Sequence, residues 1–344
     1  MNFLTNQWNY IKKLASVMAL IFIITTGGWI VYLYDISKEP QPIDKELIVE
    51  GENALNIGHY NEAQRIFEDE LKANPKNQPA EWGLKIALLR QSISKPEFKE
   101  TIDELYQQDP NDAHLNLFLG EYFAAHEQPD RALSYYEQAI TQNPKLAEAH
   151  NALALFYAKL GDYETAKVES LEAIDTSPSA VPRYRNNLGN IYFKQYHFEE
   201  AIKEYGKNKE YPLSMLESSR VYWHLEYLSQ ATTNQNQAIE WLNNQAIMAK
   251  PENLEAWYFE VSPRKSVQLV TSEEKKIYAY YCLSISLFLQ GDKLAAENEL
   301  KKLSDLNQAR PTNIAALLAL TLDTLAQSNS HFADQVIAYK QLYL

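Results

Sequence analysis

The residue types that could carry metal-dependent catalysis occur in this sequence without the spacing that such catalysis needs. The run His126-Glu127-Gln128-Pro129-Asp130 begins like the zinc motif H-E-x-x-H. It ends in an aspartate, and Pro129 interrupts the helix that would place two ligands on one face. We therefore predict a turn here, followed by a helix.

No other motif for catalysis or cofactor binding is complete. The chain has no glycine-rich phosphate loop and no G-x-S-x-G nucleophile elbow. Its seven histidines are scattered without ligand spacing. The single cysteine, Cys282, excludes an intramolecular disulfide, and a buried, inert thiol is expected. We predict no catalytic residue, no metal and no cofactor.

Charge and composition narrow the class of partner. The 344 residues carry a formal net charge of −13, which argues against nucleic-acid binding because that function needs a basic face. Apolar residues make up 46% of the chain, with only 10 glycines and with 23 tyrosines. This composition favours a helical protein whose interfaces are filled by aromatic side chains.

Two stretches of equal length follow one another in the middle of the chain. The first carries Leu119, Gly120, Phe123, Ala132, Tyr136, Ala139 and Pro144. The second, 34 residues further on, carries Leu153, Ala154, Tyr157, Ala166, Ser170, Ala173 and Pro178. A fixed period of this size indicates a repeat architecture, in which each unit buries its apolar face only by stacking on its neighbours.

This pattern resembles the tetratricopeptide repeat (TPR), which reads W-x2-L-G-x2-Y, then A-x3-F, then P. The resemblance implies an all-α fold, a right-handed α-solenoid of helix pairs A and B. Small residues such as Gly120 and Ala132 let the two helices approach closely, and Pro144 ends helix B. It also implies that the chain binds a protein or peptide in a concave groove.

The pattern divides the chain into six segments. They are an N-terminal tail (1–13), an apolar span (14–34), a linker (35–43), TPR repeats one to five (44–210), a divergent repeat with an insertion (211–270), and a C-terminal TPR-like repeat with capping helices (271–344). Within them, residues 259–270 are expected to be irregular, and Glu255-Ala256-Trp257 resembles the start of a helix that Pro263 stops. Thr271 and Glu274 predict a capping box, and residues 313–327 and 331–343 predict a final helix pair.

Residues 14–34 contain 21 uncharged positions, enough for a transmembrane helix. Lys12 and Lys13 precede this span and an acidic stretch follows it, so the positive-inside rule places the N-terminus in the cytoplasm. We predict a single-pass protein of the bacterial inner membrane with a periplasmic TPR domain. The alternative is a signal peptide cleaved near Thr25-Thr26-Gly27.

The resemblance also implies which residues face the groove, because positions 2, 5, 9, 12 and 13 of each TPR do so. These positions select Ala158, Phe193 and the candidate binding residues His114, Glu121, Glu148, Asn151, Lys159, Arg183, Asn186, Asn190 and Lys194. Asparagine can pair with both sides of a peptide backbone, so the three asparagines could form a short ladder. The three cationic residues would attract acidic groups. The alternative is an ordinary solvated helix face.

We predict a non-catalytic, membrane-anchored adaptor that binds a partner protein and helps to assemble a cell-envelope complex. One alternative is a permanent structural subunit that docks into a membrane-protein partner through its apolar span. Another is a cytoplasm-facing TPR regulator of envelope biogenesis. An enzyme would need a catalytic domain for which the sequence leaves no room.

Overall fold

The computed structural model describes residues 45–93, 95–177, 181–262, 265–304 and 312–344. The predicted transmembrane span (14–34) and the linker lie outside these residues. Among the helices that are described, none combines the length and the apolar character needed to cross a bilayer.

Six consecutive helix pairs make up the first part of the described chain. They are α1 (Lys45–Asn56) with α2 (Tyr60–Ala73), α3 (Gln78–Gln91) with α4 (Phe98–Gln108), α5 (Ala113–Ala125) with α6 (Pro129–Gln142), α7 (Ala147–Leu160) with α8 (Tyr163–Thr176), α9 (Pro182–Lys194) with α10 (Phe198–Gly206), and α11 (Pro212–His224) with α12 (Leu228–Asn243). The predicted turn at 126–128 lies between α5 and α6, and α6 begins at Pro129.

The second part of the chain interrupts this series. The short helices α13 (Gln245–Met248) and α14 (Pro251–Leu254) precede strands β1 (Trp257–Ser262) and β2 (Lys265–Leu269). Helices α15 (Ser272–Leu289), α16 (Lys293–Ser304) and α17 (Thr312–Ser328), a 3₁₀ turn (Ser330–Phe332) and α18 (Ala333–Tyr343) follow. The predicted capping box opens α15, because Thr271 and Glu274 exchange both capping hydrogen bonds.

The expectation of an irregular segment at 259–270 was wrong. β1 and β2 pair antiparallel, with Trp257 opposite Leu269 and Phe259 opposite Val267. These four side chains are buried, whereas Tyr258 is exposed. The alternation of apolar and polar residues is the period-two pattern of a strand, and it also explains why Glu255-Ala256-Trp257 does not begin a helix.

Close packing between the two helices of a pair follows from the repeat pattern. A Cβ atom at Gly120 would lie 2.6 Å from Cδ1 of Tyr136, so only glycine leaves room for this ring between α5 and α6. Ala132, which opens α6, is fully buried. We call the first helix of each pair the inner helix. In α7 ten residues are buried, compared with three in α8.

Candidate functional site

Two of the three asparagines predicted to form a ladder are buried. Asn151 accepts a hydrogen bond from the Asn187 side chain at 2.8 Å. Asn186 accepts one from the Ser214 hydroxyl at 2.9 Å. Both carboxamides therefore join neighbouring inner helices to each other, and their oxygens already have protein partners.

Asn190 is half-buried on α9 and has a similar role within its own repeat. The Tyr205 hydroxyl donates to Asn190 Oδ1 at 2.7 Å. The Tyr205 ring packs against Gly189, where a Cβ atom would lie 2.4 Å from Cε1 of the ring. Asn190 thus ties α9 to α10, and the side-chain oxygens of all three asparagines accept hydrogen bonds within the fold.

Arg183 connects four separate parts of the chain. Its guanidinium group donates to both carboxylate oxygens of Glu148, at 2.9 and 2.8 Å, and to the carbonyl oxygen of Ile57 at 3.0 Å. Its Nε lies 3.3 Å from the carboxylate of Glu255. The Tyr184 hydroxyl donates to Glu148 at 3.0 Å. The Arg183 side chain therefore connects α7 and α9 to the turn between α1 and α2 and to the segment before β1.

A second ion pair lies on the same inner surface. Arg90 on α3 lies 3.3 Å from Glu121 on α5 and packs over the Tyr60 ring. Burial raises the pKa of Glu121, and Arg90 opposes that change. His114 is also largely buried, 3.9 Å from Asp112, and burial lowers the pKa of its imidazole. We call Arg90, Glu121, Glu148, Arg183 and Glu255 the inner ionic cluster.

Arg90 and Glu255 are the two members of the cluster that are not among the predicted binding residues, and Glu255 lies outside the recognised repeats. Burial raises the pKa of Glu255 to about 7, while Arg183 lowers it and Glu148 raises it further. The ammonium group of Lys275 on α15 donates to the carbonyl oxygens of Glu255 and Asn253, at 2.6 and 2.9 Å. The segment before β1 is thereby held from both sides against the inner surface.

Lys159 and Lys194, the other two predicted cations, lie at the opposite ends of α7 and α9. They border a cleft of about 990 Å³ that runs across the C-terminal ends of the inner helices. Its aromatic lining consists of Phe156, Tyr163, Phe193, Tyr196, Phe198 and His224. We call this region the aromatic cleft.

The far wall of the aromatic cleft comes from the C-terminal part of the chain. Thr324, Gln327 and Ser328 of α17 line it. Ser328 is hydrogen-bonded to Nδ1 of His224 at 2.7 Å, which joins α17 to α11. Burial lowers the pKa of His224 to about 4, and Arg220 lowers it further, so this imidazole is neutral near pH 7.

Three of the described turns place a side chain at a left-handed position where other turns have glycine. Gly58 and Gly161 have φ of +75° and +84° in the turns of their pairs. The equivalent positions of other pairs hold Glu127, Tyr196 and Glu226, with φ of +58°, +62° and +62°. A side chain in this left-handed region costs about 1–2 kcal/mol. Glu127 and Tyr196 line the cleft, and strained backbone of this kind is concentrated at functional sites.

The sequence contained a signal for the cleft that the family positions do not include. Those positions select Lys159 and Lys194 but not Tyr196 or Phe198. Tyr196 occupies a turn position where glycine is favoured, and its side chain is 72% exposed. A large exposed residue at such a position indicates a role other than stability.

In the part of the chain that the structure describes, no group of three or more histidine, cysteine, aspartate or glutamate side chains is placed to hold a metal ion. Cys282 is buried in α15, and burial raises the pKa of its thiol to about 12. A thiol with this pKa is unreactive near neutral pH.

Comparison with known proteins supports the TPR assignment. A family model described as "Tetratricopeptide repeat" matches residues 135–168. The Photosystem I assembly protein Ycf3 of Rippkaea orientalis (strain PCC 8801 / RF-1) is 30% identical over 115 residues, which cover 30% of this chain. The match spans 65% of the length of that relative.

Comparison with solved structures finds similar chains at low sequence identity. The APC/C hetero-tetramer Cut9-Hcn1 is similar over 87% of this chain and 53% of that chain, with a TM-score of 0.53 and 14% identity. PilF of Pseudomonas aeruginosa is similar over 68% of this chain and 95% of that chain, with a TM-score of 0.46 and 16% identity. The likeness to Cut9-Hcn1 concerns the fold.

Proposed function

We propose that this TPR-type scaffold is a non-catalytic adaptor that holds a segment of a partner protein in the aromatic cleft. The observation that carries the proposal is the cleft itself, with Tyr196 exposed at its edge in a strained conformation. The inner ionic cluster is already paired within the chain, so it is not the first surface that a partner would contact. The cleft is open and offers aromatic faces, which are favoured at protein interfaces.

The shape of the cleft favours a linear segment. Its lining runs from Ala124 at the end of α5, through α7 and α9, to His224 at the end of α11. An extended chain can follow such a row of helix ends and place one side chain against each in turn. Because residues of four successive pairs contribute, the solenoid must be intact for the cleft to exist.

The setting of the adaptor is the second part of the proposal. Residues 14–34 would anchor it in a bacterial inner membrane, with the N-terminus inside and the TPR domain in the periplasm. Anchoring confines the cleft to a thin layer, where modest affinity suffices. The name of the relative Ycf3, an assembly protein, supports a role in assembling a complex. The complex here would belong to the cell envelope.

The test is photo-crosslinking in the native membrane from a benzophenone amino acid at Tyr196. A matched probe at Val168, which is 54% exposed on α8, is the control. We expect one protein to be captured from Tyr196 and not from Val168. Equal capture from both positions, or none from Tyr196, would contradict the proposal. Capture only from a probe within residues 14–34 would favour a permanently docked structural subunit instead.

A further inference from the structure

We propose that the structure shows the closed form of a hinged solenoid, in which the turn between α1 and α2 covers part of the surface formed by the inner helices and can move away from it. We call this turn, Asn56–His59, the latch. The inference goes beyond the proposed function, because it concerns the inner ionic cluster and not the aromatic cleft. Release of the latch makes a second surface accessible to a partner.

The latch contacts the N-terminal ends of helices that lie far from it in the sequence. Ile57 is only 6% exposed and packs in one apolar cluster with Tyr184 of α9. Its carbonyl oxygen accepts the hydrogen bond from Arg183 at 3.0 Å. The side chain of Asn143, which follows α6, donates to Asn56 Oδ1 at 3.2 Å. These contacts join the first helix pair to the third and the fifth, so part of the inner surface lies beneath the latch.

Gly58 lets the latch approach the ion pair of Glu148 and Arg183 closely. A Cβ atom at Gly58 would lie 2.6 Å from a terminal nitrogen of Arg183 and 2.8 Å from a carboxylate oxygen of Glu148. These two groups hold each other through two hydrogen bonds, so neither can move aside alone. At Gly291, which has a similar φ, a Cβ atom would meet no other described atom within 4 Å. The latch therefore fits the closed form specifically.

The closed form also has a cost, because it leaves polar atoms without partners. Among the described residues, His59 Nε2, His114 Nε2, Glu121 Oε2 and Glu255 Oε1 are buried and have no hydrogen-bond partner. Burial has the largest effect on the pKa of each of these groups, and the nearby charge of Glu148 raises each pKa. A buried polar group without a partner opposes the arrangement that buries it. Opening would return these groups to water, so the latch is held against an opposing free energy.

The pair α3–α4 has the features of a hinge. The third pair has glycine and alanine at the two positions where its helices meet, whereas α3–α4 has Ile86 and Phe98 there, both 1% exposed. Two large side chains thus separate α3 from α4. On the other side, α3 packs tightly on α2, because a Cβ atom at Gly83 would lie 2.3 Å from the Phe67 ring. Helices α1 to α3 can therefore rotate together, and a small rotation at α4 displaces the latch.

The experiment measures distances between two spin labels in the full-length protein by double electron–electron resonance. The first label pair, Arg65→Cys and Val168→Cys, spans the hinge, because these exposed residues lie on α2 and α8. The control pair, Val168→Cys and Lys203→Cys, lies entirely on the C-terminal side of the hinge. Cys282 should stay unlabelled, because it is buried and burial raises the pKa of its thiol to about 12.

Two variants should favour the open form by different routes. Gly58→Ala adds a Cβ atom for which the closed form has no room, and Ile57→Ser removes the apolar side chain that closure buries. In each variant we expect a second, longer distance across the hinge, with the ratio of open to closed molecules increased about tenfold in Ile57→Ser. Gly291→Ala adds similar left-handed strain without a contact, so it should leave the distance unchanged.

The control pair separates opening from loss of structure. A longer distance across the hinge in either variant, with an unchanged control pair, supports the inference. An unchanged distance in both Gly58→Ala and Ile57→Ser would overturn it. The same change in Gly291→Ala, or a change in the control pair, would also overturn it, because general unfolding would then be the cause. None of these measurements involves Tyr196 or a partner, so the adaptor function is tested separately.

Discussion

Helices α7 and α9 carry two very different surfaces at their two ends. Near their N-termini, Glu148 and Arg183 form a buried ion pair. Arg183 also contacts the turn between α1 and α2 and the segment before β1. Near their C-termini, Lys159 and Lys194 border an open cleft. The N-terminal ends of these helices thus connect distant parts of the chain, and their C-terminal ends line a candidate binding surface.

This contrast shows how burial determines whether a charged residue has a structural role or is available for binding. A charge withdrawn from water must be paired, so Arg183 and Glu148 are committed to each other and to the fold. A lysine at the edge of an open cleft stays in contact with water, so its interactions contribute little to the stability of the fold. Groove residues predicted from one family pattern therefore divide into structural residues and candidate binding residues.

The largest effect is expected at the inner ionic cluster, where Arg183→Met leaves the carboxylate of Glu148 buried without its cation. Removing one partner of a buried ion pair costs about 3–5 kcal/mol. Chemical denaturation should show a loss of that size in the free energy of unfolding. Arg131→Met, at an exposed arginine over the Phe123 ring, should cost less than about 1 kcal/mol. Equal losses in the two variants would mean that the cluster is not structural.

A smaller change in the free energy of unfolding is expected from a change of pH. It tests whether burial or the ion pair with Arg183 has the larger effect on the pKa of Glu255. The pKa of this carboxyl is raised from 4.5 to about 7 in the folded chain. The protonated form of Glu255 therefore stabilises the folded chain by about 3 kcal/mol relative to the ionised form. This contribution is complete below pH 4.5 and is lost as the pH rises through 7. Glu255→Gln should remove this dependence, and Glu252→Gln should retain it. Denaturation at pH 5 and pH 8 measures the difference.

If the pH dependence of Glu255→Gln equals that of the wild type, the pKa of Glu255 is the same in the folded and the unfolded chain. Stabilisation of the carboxylate by Arg183 would then offset its destabilisation by burial. The contrast between the inner ionic cluster and the aromatic cleft would in that case not depend on burial alone.

The smallest effect is expected at the edge of the cleft, where stability and binding should change in opposite directions. Tyr196→Gly relieves the left-handed conformation and should stabilise the chain by up to about 1 kcal/mol. The same change removes an aromatic side chain from the cleft and should weaken binding of the partner that the crosslinking experiment captures. Glu226→Gly alters an equivalent turn whose residue does not line the cleft, so its binding should be unchanged. Weaker binding in both variants would mean that the conformation of the turns, and not the Tyr196 side chain, determines binding.

The helix pairs were predictable because their signal is local and periodic. Gly120, Tyr136 and Ala132 recur at fixed spacing, and each has one steric role that its residue type reveals. The capping box at Thr271 and Glu274 is equally local, since it depends on two residues three positions apart. The hairpin was missed because a short apolar run can be a strand or a buried helix, and Pro263 was interpreted as a helix stop only.

The asparagines show the limit of reasoning from family positions. Asn151 and Asn186 are buried, and in each case the following inner helix supplies a hydrogen-bond partner. Whether an inward side chain meets a ligand or another helix depends on the local distance between helices. That distance depends on side chains far away in the sequence.

The sequence by itself determined that the chain is a stack of helix pairs, which residues let those pairs pack, and that residues 14–34 could span a membrane. It determined these features because each depends on residues within one period or one continuous run. Only the tertiary structure decided that Arg183 meets Ile57 and Glu255, and that the helix ends around Tyr196 form an open cleft. Arg183 lies 126 positions from Ile57 and 72 positions from Glu255, and the cleft combines residues of several repeats. Such contacts depend on how the small rotation between repeats accumulates along the solenoid.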